Sequence, residues 1–480
     1  VTKRDKYVLA AILVAAFLAR AIALVALWDI DPMRGDGRSY FRQSVNILNG
    51  EPYSYSRAPG YSFILAAAHL IRGGEPSMTT VRWTNVVLGV VTVLCVYLGA
   101  TVTYSRRLGE ITAAMVALDP RYVTHVVFPI VENGFLPLCI GSLAVVVWTI
   151  KKPTVGKSLL GGVLMTLAML TRSVMMYFVL VSAVLIFLLG AKRWRGNFAH
   201  ACLFTAAALF TLTPWTVRNY YYYHRFVPIS IDDGAQLVRG NLRQRRDLQG
   251  IVDEARREAA SKRKPNDPRA AAKADTNAEM RRRGIAMILE RQPLWIFEKI
   301  DKWGPKLLLP GGYILARGGM DPAIVGETGK EVMLWLFVLT HVIVLLLAPI
   351  GLARHTRNPG DIVLILYVLY SFAIHITSHG NVIRFQLPYN WILMLYVARL
   401  FVDRPCWNGK RIATAALLMI ISVASLVTNV SRDLYLSGLE PDRRDEQGRA
   451  ACAERRERSK EAKTEAEEAY GELENLPEGD

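Results

Sequence analysis

Two carboxylates and three arginines stand where apolar runs of this chain give way to polar loops, a placement suited to moving a proton beside a phosphate. Asp36 lies in Arg34-Gly35-Asp36-Gly37-Arg38-Ser39-Tyr40, soon after the first apolar run, and Glu132 lies in Pro129-Ile130-Val131-Glu132-Asn133, just before another. Arg57 sits in Ser56-Arg57-Ala58-Pro59-Gly60-Tyr61, Arg218 in Pro214-Trp215-Thr216-Val217-Arg218-Asn219, and Arg384 in His379-Gly380-Asn381-Val382-Ile383-Arg384-Phe385. A carboxylate within reach of a hydroxyl can take its proton. A guanidinium pairs with phosphate oxygens in a planar fork and stabilises charge that develops on a leaving group. The ordinary role of any one of them is a solvated loop charge, or a side chain reaching from the end of a span to water. Gathered on one membrane face, they make a more pointed set.

The elements that must position them follow from composition. The chain has 480 residues, is 52% hydrophobic and has a mean hydropathy of +0.22. Its 58 Lys and Arg and 41 Asp and Glu are segregated from the apolar residues. Apolar runs of about 20 residues are long enough to cross a bilayer as helices, whose backbone groups are satisfied internally, as lipid requires. The expected fold is all-α and polytopic, with about eleven spans (ten to thirteen). The first, Tyr7–Trp28, reads as a retained span rather than a cleaved signal peptide. The others fall near residues 80–104, 109–128, 134–150, 158–171, 174–190, 198–215, 333–353, 362–376, 387–401 and 412–430. The first polar loop, 29–77, carries an amphipathic helix ending at Gly50, short enough to lie in the interface. A second short apolar helix runs from about Pro59 to Leu70, with Pro59 suited to its first turn.

Basic clusters orient the spans. Lys3, Arg4 and Lys6 precede the first; Arg106 and Arg107, Lys151 and Lys152, Lys192, Arg193 and Arg195, Arg354 and Arg357, and Arg404, Lys410 and Arg411 follow alternate spans. All fall on one side, the cytoplasmic side by the positive-inside rule. The net charge of +17 is thereby explained without nucleic acid. Four parts result: an N-terminal transmembrane module over 1–217, with the Asp36 loop facing outward; an extracytoplasmic insert over 218–330; C-terminal spans over 331–430; and a charged tail over 431–480. Met280, Ile285, Ile288, Leu294, Trp295, Phe297 and Ile300 of the insert could pack or lie on the membrane surface. The run Tyr220–Tyr223 reads as an aromatic interface anchor. His69, His125 and His375 read as packed or interfacial. Cys95, Cys139, Cys202, Cys406 and Cys452 have no metal-ligand spacing and read as small apolar residues. The absence of P-loop, GxGxxG, HExxH and GxSxG motifs in their usual contexts argues against ATP-driven pumps and serine hydrolases.

One span, an outward loop with an acid, an Arg-Pro-Pro-Gly-Tyr-like motif and then many spans together resemble the GT-C type glycosyltransferases. The resemblance is to the bacterial branch related to protein O-mannosyltransferases and the lipid A aminoarabinose transferase. The matching residues are Gly35-Asp36 followed by Tyr40, Arg57-Ala58-Pro59-Gly60-Tyr61, Glu132, Pro214–Asn219 and Arg384-Phe385, over about residues 1–430. The resemblance implies an enzyme that moves a sugar, with inversion, from a polyprenyl-phosphate-linked donor to a glycan, lipid or protein acceptor at the outer face of the cytoplasmic membrane. It implies Asp36 as general base and Glu132 as a second acid orienting the acceptor. Arg57, Arg218 and Arg384 would hold the donor phosphate, with Tyr61 and His379 also on the substrate side. The aminoarabinose branch carries a Glu-Lys pair where this chain has Ser56-Arg57, and Asp36 has no acid two residues away. No metal or other cofactor is therefore expected.

Two other readings share these residues. A lipid-linked glycan polymerase or ligase would also use polyprenyl carriers and outward arginines. A transporter or flippase of such lipids would place charges near mid-bilayer and could show repeated halves; the sequence has few mid-span charges beyond Arg20 and no evident repeat.

Overall fold

The structure, a computed structural model, describes residues 3–30, 36–242, 247–261, 268–307, 322–353, 358–378 and 383–402, with four residues between 413 and 417. The described residues belong to the compact unit Val1–Val423, and they form helices and turns, with no strand among them. The charged tail and most of the span expected at 412–430 lie outside the described residues.

The N-terminal half runs α1 (Lys3–Ala26), α2 (Asp36–Leu48), α3 (Gly60–Ile71), α4 (Met78–Thr103), α5 (Arg106–Leu118), α6 (Pro120–Thr124), α7 (Glu132–Lys151), α8 (Val155–Thr171), α9 (Met176–Leu189) and α10 (Trp194–Tyr223). The insert forms α11 (Asp233–Asn241), α12 (Asp247–Ser261), α13 (Arg269–Leu289) and α14 (Leu294–Leu307). Then come α15 (Pro322–Ala353), α16 (Pro359–Ser378) and α17 (Leu387–Val402). Among the described residues, six helices are long and apolar enough to cross a membrane: α1, α4, α7, α10, and the stretches Trp335–Ala353 and Pro359–Thr377. Among the same residues, four apolar helical stretches are shorter: Gly60–Ile71, Val155–Thr171, Ser173–Leu189 and Leu387–Val402.

α7 is the axis of the bundle, buried along nearly its whole length, and α4, α8, α9, α16 and α17 pack around it. Close approach needs small residues. A Cβ on Gly60 would lie 2.5 Å from the Thr171 hydroxyl, so the start of α3 can meet the end of α8.

The expected span 109–128 is broken. α5 stops at Leu118 because Pro120 cannot extend it and holds Asp119 in an extended conformation. The Asp119 carboxylate caps α6, accepting from the Arg121 backbone N–H at 2.9 Å. Thirteen residues of α5 rise only about 20 Å, so irregular backbone follows at membrane depth, where it must be enclosed by protein. Asn85 donates to the carbonyls of Val126 (3.1 Å) and Phe128 (3.0 Å), Asn133 to that of Phe128 (2.8 Å), and buried Arg20 to that of Ala117 (3.1 Å). Gly89 makes room for Arg20, since a Cβ there would lie 2.5 Å from its Nε. The enclosed segment delivers Glu132 to the first turn of α7.

In the insert, α11, α12 and α13 share a small apolar cluster of Val238, Ala255 and Met280. Their outer faces are laced by ion pairs such as Arg283–Glu254 (2.6 Å) and Arg225–Asp275 (2.8 Å).

Candidate active site in the first loop

α2 begins at Asp36 and lies against α3, with Tyr40 and Tyr61 edge to face at 5.5 Å. The link between these helices doubles back. The Tyr53 hydroxyl donates to the carbonyls of Arg57 (3.2 Å) and Ala58 (3.3 Å), and Gln43 accepts from the Ser54 N–H at 3.1 Å. This fold aims Arg57 at Asp36: its Nη1 is 2.6 Å from the Asp36 Oδ2. Its Nε is 3.9 Å from Oδ2 of Asp232, in the link between α10 and α11. The Tyr55 ring lies 5.8 Å from the guanidinium. All three charged side chains keep some exposure, 17% for Asp36, 24% for Arg57 and 21% for Asp232, so the cluster is open to a ligand.

The 227–232 link is built onto this loop. The Ile231 N–H donates to the Ser56 carbonyl at 2.9 Å; Asn219 donates to the carbonyls of Val227 and Ile229, and Trp215 also to that of Ile229. Ser230 donates to Asp232 at 3.0 Å. Burial pushes the Asp232 carboxyl above its ordinary pKa against the opposing pull of Arg57. For Arg57, burial disfavours the charge, but Tyr40, Asp36 and Tyr55 outweigh it and hold the pKa above the ordinary value. The guanidinium therefore stays charged.

Arg218 supports the same loop. It donates to the Tyr53 carbonyl and to Asn219 (3.1 Å), with its guanidinium 5.0 Å from the Trp215 ring and 4.3 Å from the Tyr222 ring. Tyr220 and Tyr221 are exposed, whereas Tyr223 is buried. Tyr61 is fully buried, and its hydroxyl donates to Asn85 at 2.8 Å.

Glu132 belongs to a second pair. It is fully buried, 3.3 Å from Arg172 in the connection between α8 and α9. Arg172 lies 4.1 Å from the Phe385 ring centroid, and Phe385 stacks on His375 at 4.6 Å. Phe385 belongs to the one-turn helix Ile383–Gln386 that also contains Arg384. The backbone thus brings position 384 beside the Glu132 pair, while the Arg384 side chain and His379 lie outside what the structure describes. Tyr40 is within electrostatic reach of both pairs, feeling Arg57, Asp36 and Glu132. Asp36 and Arg57 thus meet directly, Arg218 touches their loop, and Glu132 stands apart with Arg172.

Asp232 and Arg172 are the charges that sequence reasoning missed. Arg172 could have been noticed, being the charge in the short gap between two apolar runs. Asp232 opens a long charge-rich stretch in which nothing marks it out. The described residues contain no group of three or more His, Cys, Asp or Glu suited to a metal ion.

Residues 56–217, about a third of the chain, match the family "Dolichyl-phosphate-mannose-protein mannosyltransferase". The match runs from the Arg57 loop to the residue before Arg218. Among solved structures, the oligosaccharyltransferase AglB from Archaeoglobus fulgidus, in complex with an inhibitory peptide and a dolichol-phosphate, superposes with a TM-score of 0.51 at 14% identity. That likeness covers 88% of this chain and 55% of the other. The Archaeoglobus fulgidus oligosaccharyltransferase tethered to an acceptor peptide gives 0.51 at 13% identity, over 88% and 55%. ArnT from Cupriavidus metallidurans bound to undecaprenyl phosphate gives 0.36 at 15% identity, over 85% and 77%, too low to bear on the fold. This chain spans about half the length of the oligosaccharyltransferase chains. No curated protein matches it.

The fold is similar to that of the Archaeoglobus fulgidus oligosaccharyltransferase, and its long apolar helices are those of a multi-pass membrane protein. Across its first loop and following spans, about a third of the chain is thus similar to the dolichyl-phosphate-mannose-protein mannosyltransferase family.

Proposed function

We propose that the chain transfers a sugar, with inversion, from a polyprenyl-phosphate-linked donor to a hydroxyl of a glycan, lipid or protein acceptor at the outer face of the cytoplasmic membrane. The carrying observation is the partly exposed Asp36–Arg57 pair at 2.6 Å, at the mouth of a helical bundle. The dolichol-phosphate in the oligosaccharyltransferase complex supports a lipid-phosphate donor.

In this reading Asp36 takes the acceptor proton as the acceptor oxygen attacks the anomeric carbon. The bond from that carbon to the phosphate oxygen breaks, and polyprenyl phosphate leaves with the electron pair. Arg57 faces the charge that develops on the leaving group. A carboxylate bound to a guanidinium is a weak base, so the donor phosphate must draw Arg57 away from Asp36 before the proton moves. Asp232 limits how far Arg57 swings, and Arg218 and Tyr61 hold the loop. Glu132 with Arg172 forms the inner wall, beside the turn that carries Arg384.

Asn keeps the size of Asp36 but cannot act as the base. Asp36→Asn should lower turnover by about 10²–10⁴-fold, the usual range for general acid–base catalysis, with binding of a fluorescent undecaprenyl-phosphate probe retained. Wild-type turnover of purified, folded Asp36→Asn on its true substrates would sink the assignment.

A further inference from the structure

Arg20 is a mid-span charge that the proposed transfer does not use. It lies about 9 Å along the axis from the end of α1 at Ala26 and is fully buried. An ionisable side chain at such depth faces the protein and finds partners there. Part of its guanidinium has them: Nη1 donates to the Ala16 carbonyl at 3.0 Å and to that of Ala117 at 3.1 Å. Ala117 is in the last turn of α5, and its helical donor would be the Arg121 N–H, which is spent on the Asp119 carboxylate. Arg20 thus supplies the donor that the break at Pro120 removes.

The rest of the guanidinium is unmatched. Nε and Nη2 are buried and have no acceptor among the described residues. Asp119, the carboxylate whose charge reaches Arg20, is taken, both its oxygens accepting from the Arg121 side chain at 2.6–3.2 Å. Arg20 lines a cavity of about 10 Å³ together with Gly89, Thr92, Tyr122, His125 and Asn133. A Cβ on Gly89 would lie 2.5 Å from Nε, so this donor is on the side of the cavity that Gly89 leaves open. The Thr92 hydroxyl donates to the Leu88 carbonyl at 2.8 Å and that of Tyr122 to the Leu387 carbonyl at 2.6 Å. Their hydrogens are committed, and their oxygens can still accept. Buried donors and acceptors around one small cavity are what a water molecule joins: it needs roughly 10–15 Å³ and two to four polar partners. A second water or a polyatomic anion would not fit.

We propose that this cavity binds one ordered water, which accepts from Arg20 through Nε or Nη2 and donates to Thr92 and Tyr122. The water joins α1, α4 and α6, and with Asn133 in the wall it abuts the first turn of α7. The broken span is thereby tied to its neighbours at one buried point, beside the residue that follows Glu132. The site carries no reacting group and does not depend on the transferase reading.

The test is a crystal structure of the full chain in a lipidic phase, at a resolution that shows ordered waters, with bromide in place of chloride. The expected result is a single peak of water's strength within about 3.2 Å of Nε or Nη2 of Arg20, without anomalous signal from bromide. No peak there would overturn the proposal. So would an anomalous peak beside Arg20, which would mark an anion site instead. In Arg20→Met, an apolar chain of similar reach, the peak should be lost; its persistence would show that Arg20 does not build the site. The wild-type maps carry the test by themselves should this variant not fold.

Discussion

At the scale of single residues, Arg57 is held between two carboxylates, and they differ. Asp36 accepts from it directly, whereas Asp232 sits 3.9 Å away with its pKa raised by burial. A raised carboxyl pKa means that folding favours the neutral acid. Its contribution to stability is fully present below the ordinary value of 3.8 and is lost as pH rises through the folded pKa. Asp232→Asn is neutral at every pH. Its melting temperature should therefore equal that of wild type well below pH 3.8 and exceed it as pH rises through the folded pKa. An advantage that shrinks as pH rises would show that attraction to Arg57 outweighs burial. The types and positions of Asp36 and Arg57 were legible in the sequence, because charges beside apolar runs are few enough to notice. Their pairing with Asp232 was not, because it depends on the Ile231–Ser56 hydrogen bond between distant segments.

At the scale of elements, helices were readable wherever apolar runs were long, and the amphipathic spacing after Asp36 marked α2. The break at Asp119 was hidden because apolar residues continue on both sides of Pro120, although that proline carried the signal. The break matters because it sets where α7 starts, and so where Glu132 meets Arg172. Removing one partner of a buried pair is worse than removing its charge conservatively. Arg172→Ala leaves fully buried Glu132 without this cation and should cost about 3 kcal/mol or more. Glu132→Gln leaves an arginine that is still 12% exposed and should cost less. Chemical denaturation in a fixed detergent measures both, and a larger loss for Glu132→Gln would contradict the arrangement.

At the scale of the whole molecule, the bundle has two differently built ends. At one, Lys151 donates to the carbonyls of Val102 (2.9 Å) and Thr103 (2.5 Å), near the basic clusters that orient the chain. At the other lie the candidate site and the insert. The proposed orientation predicts that an impermeant thiol reagent labels Arg256→Cys while the cytoplasmic membrane is intact, and Lys152→Cys only after that membrane is opened. The reverse pattern would invert the molecule and remove the proposed outward site. The union of Arg57 with Asp232 also carries a consequence for how the protein is made. About 175 residues separate them, so at ribosomal speeds the acid emerges roughly ten to thirty-five seconds after the arginine. Six expected spans must enter the membrane during that wait. Until then the first loop has neither its second anion nor the backbone clasp at Ser56, so Arg57 is not fully held until most of the N-terminal bundle has been made.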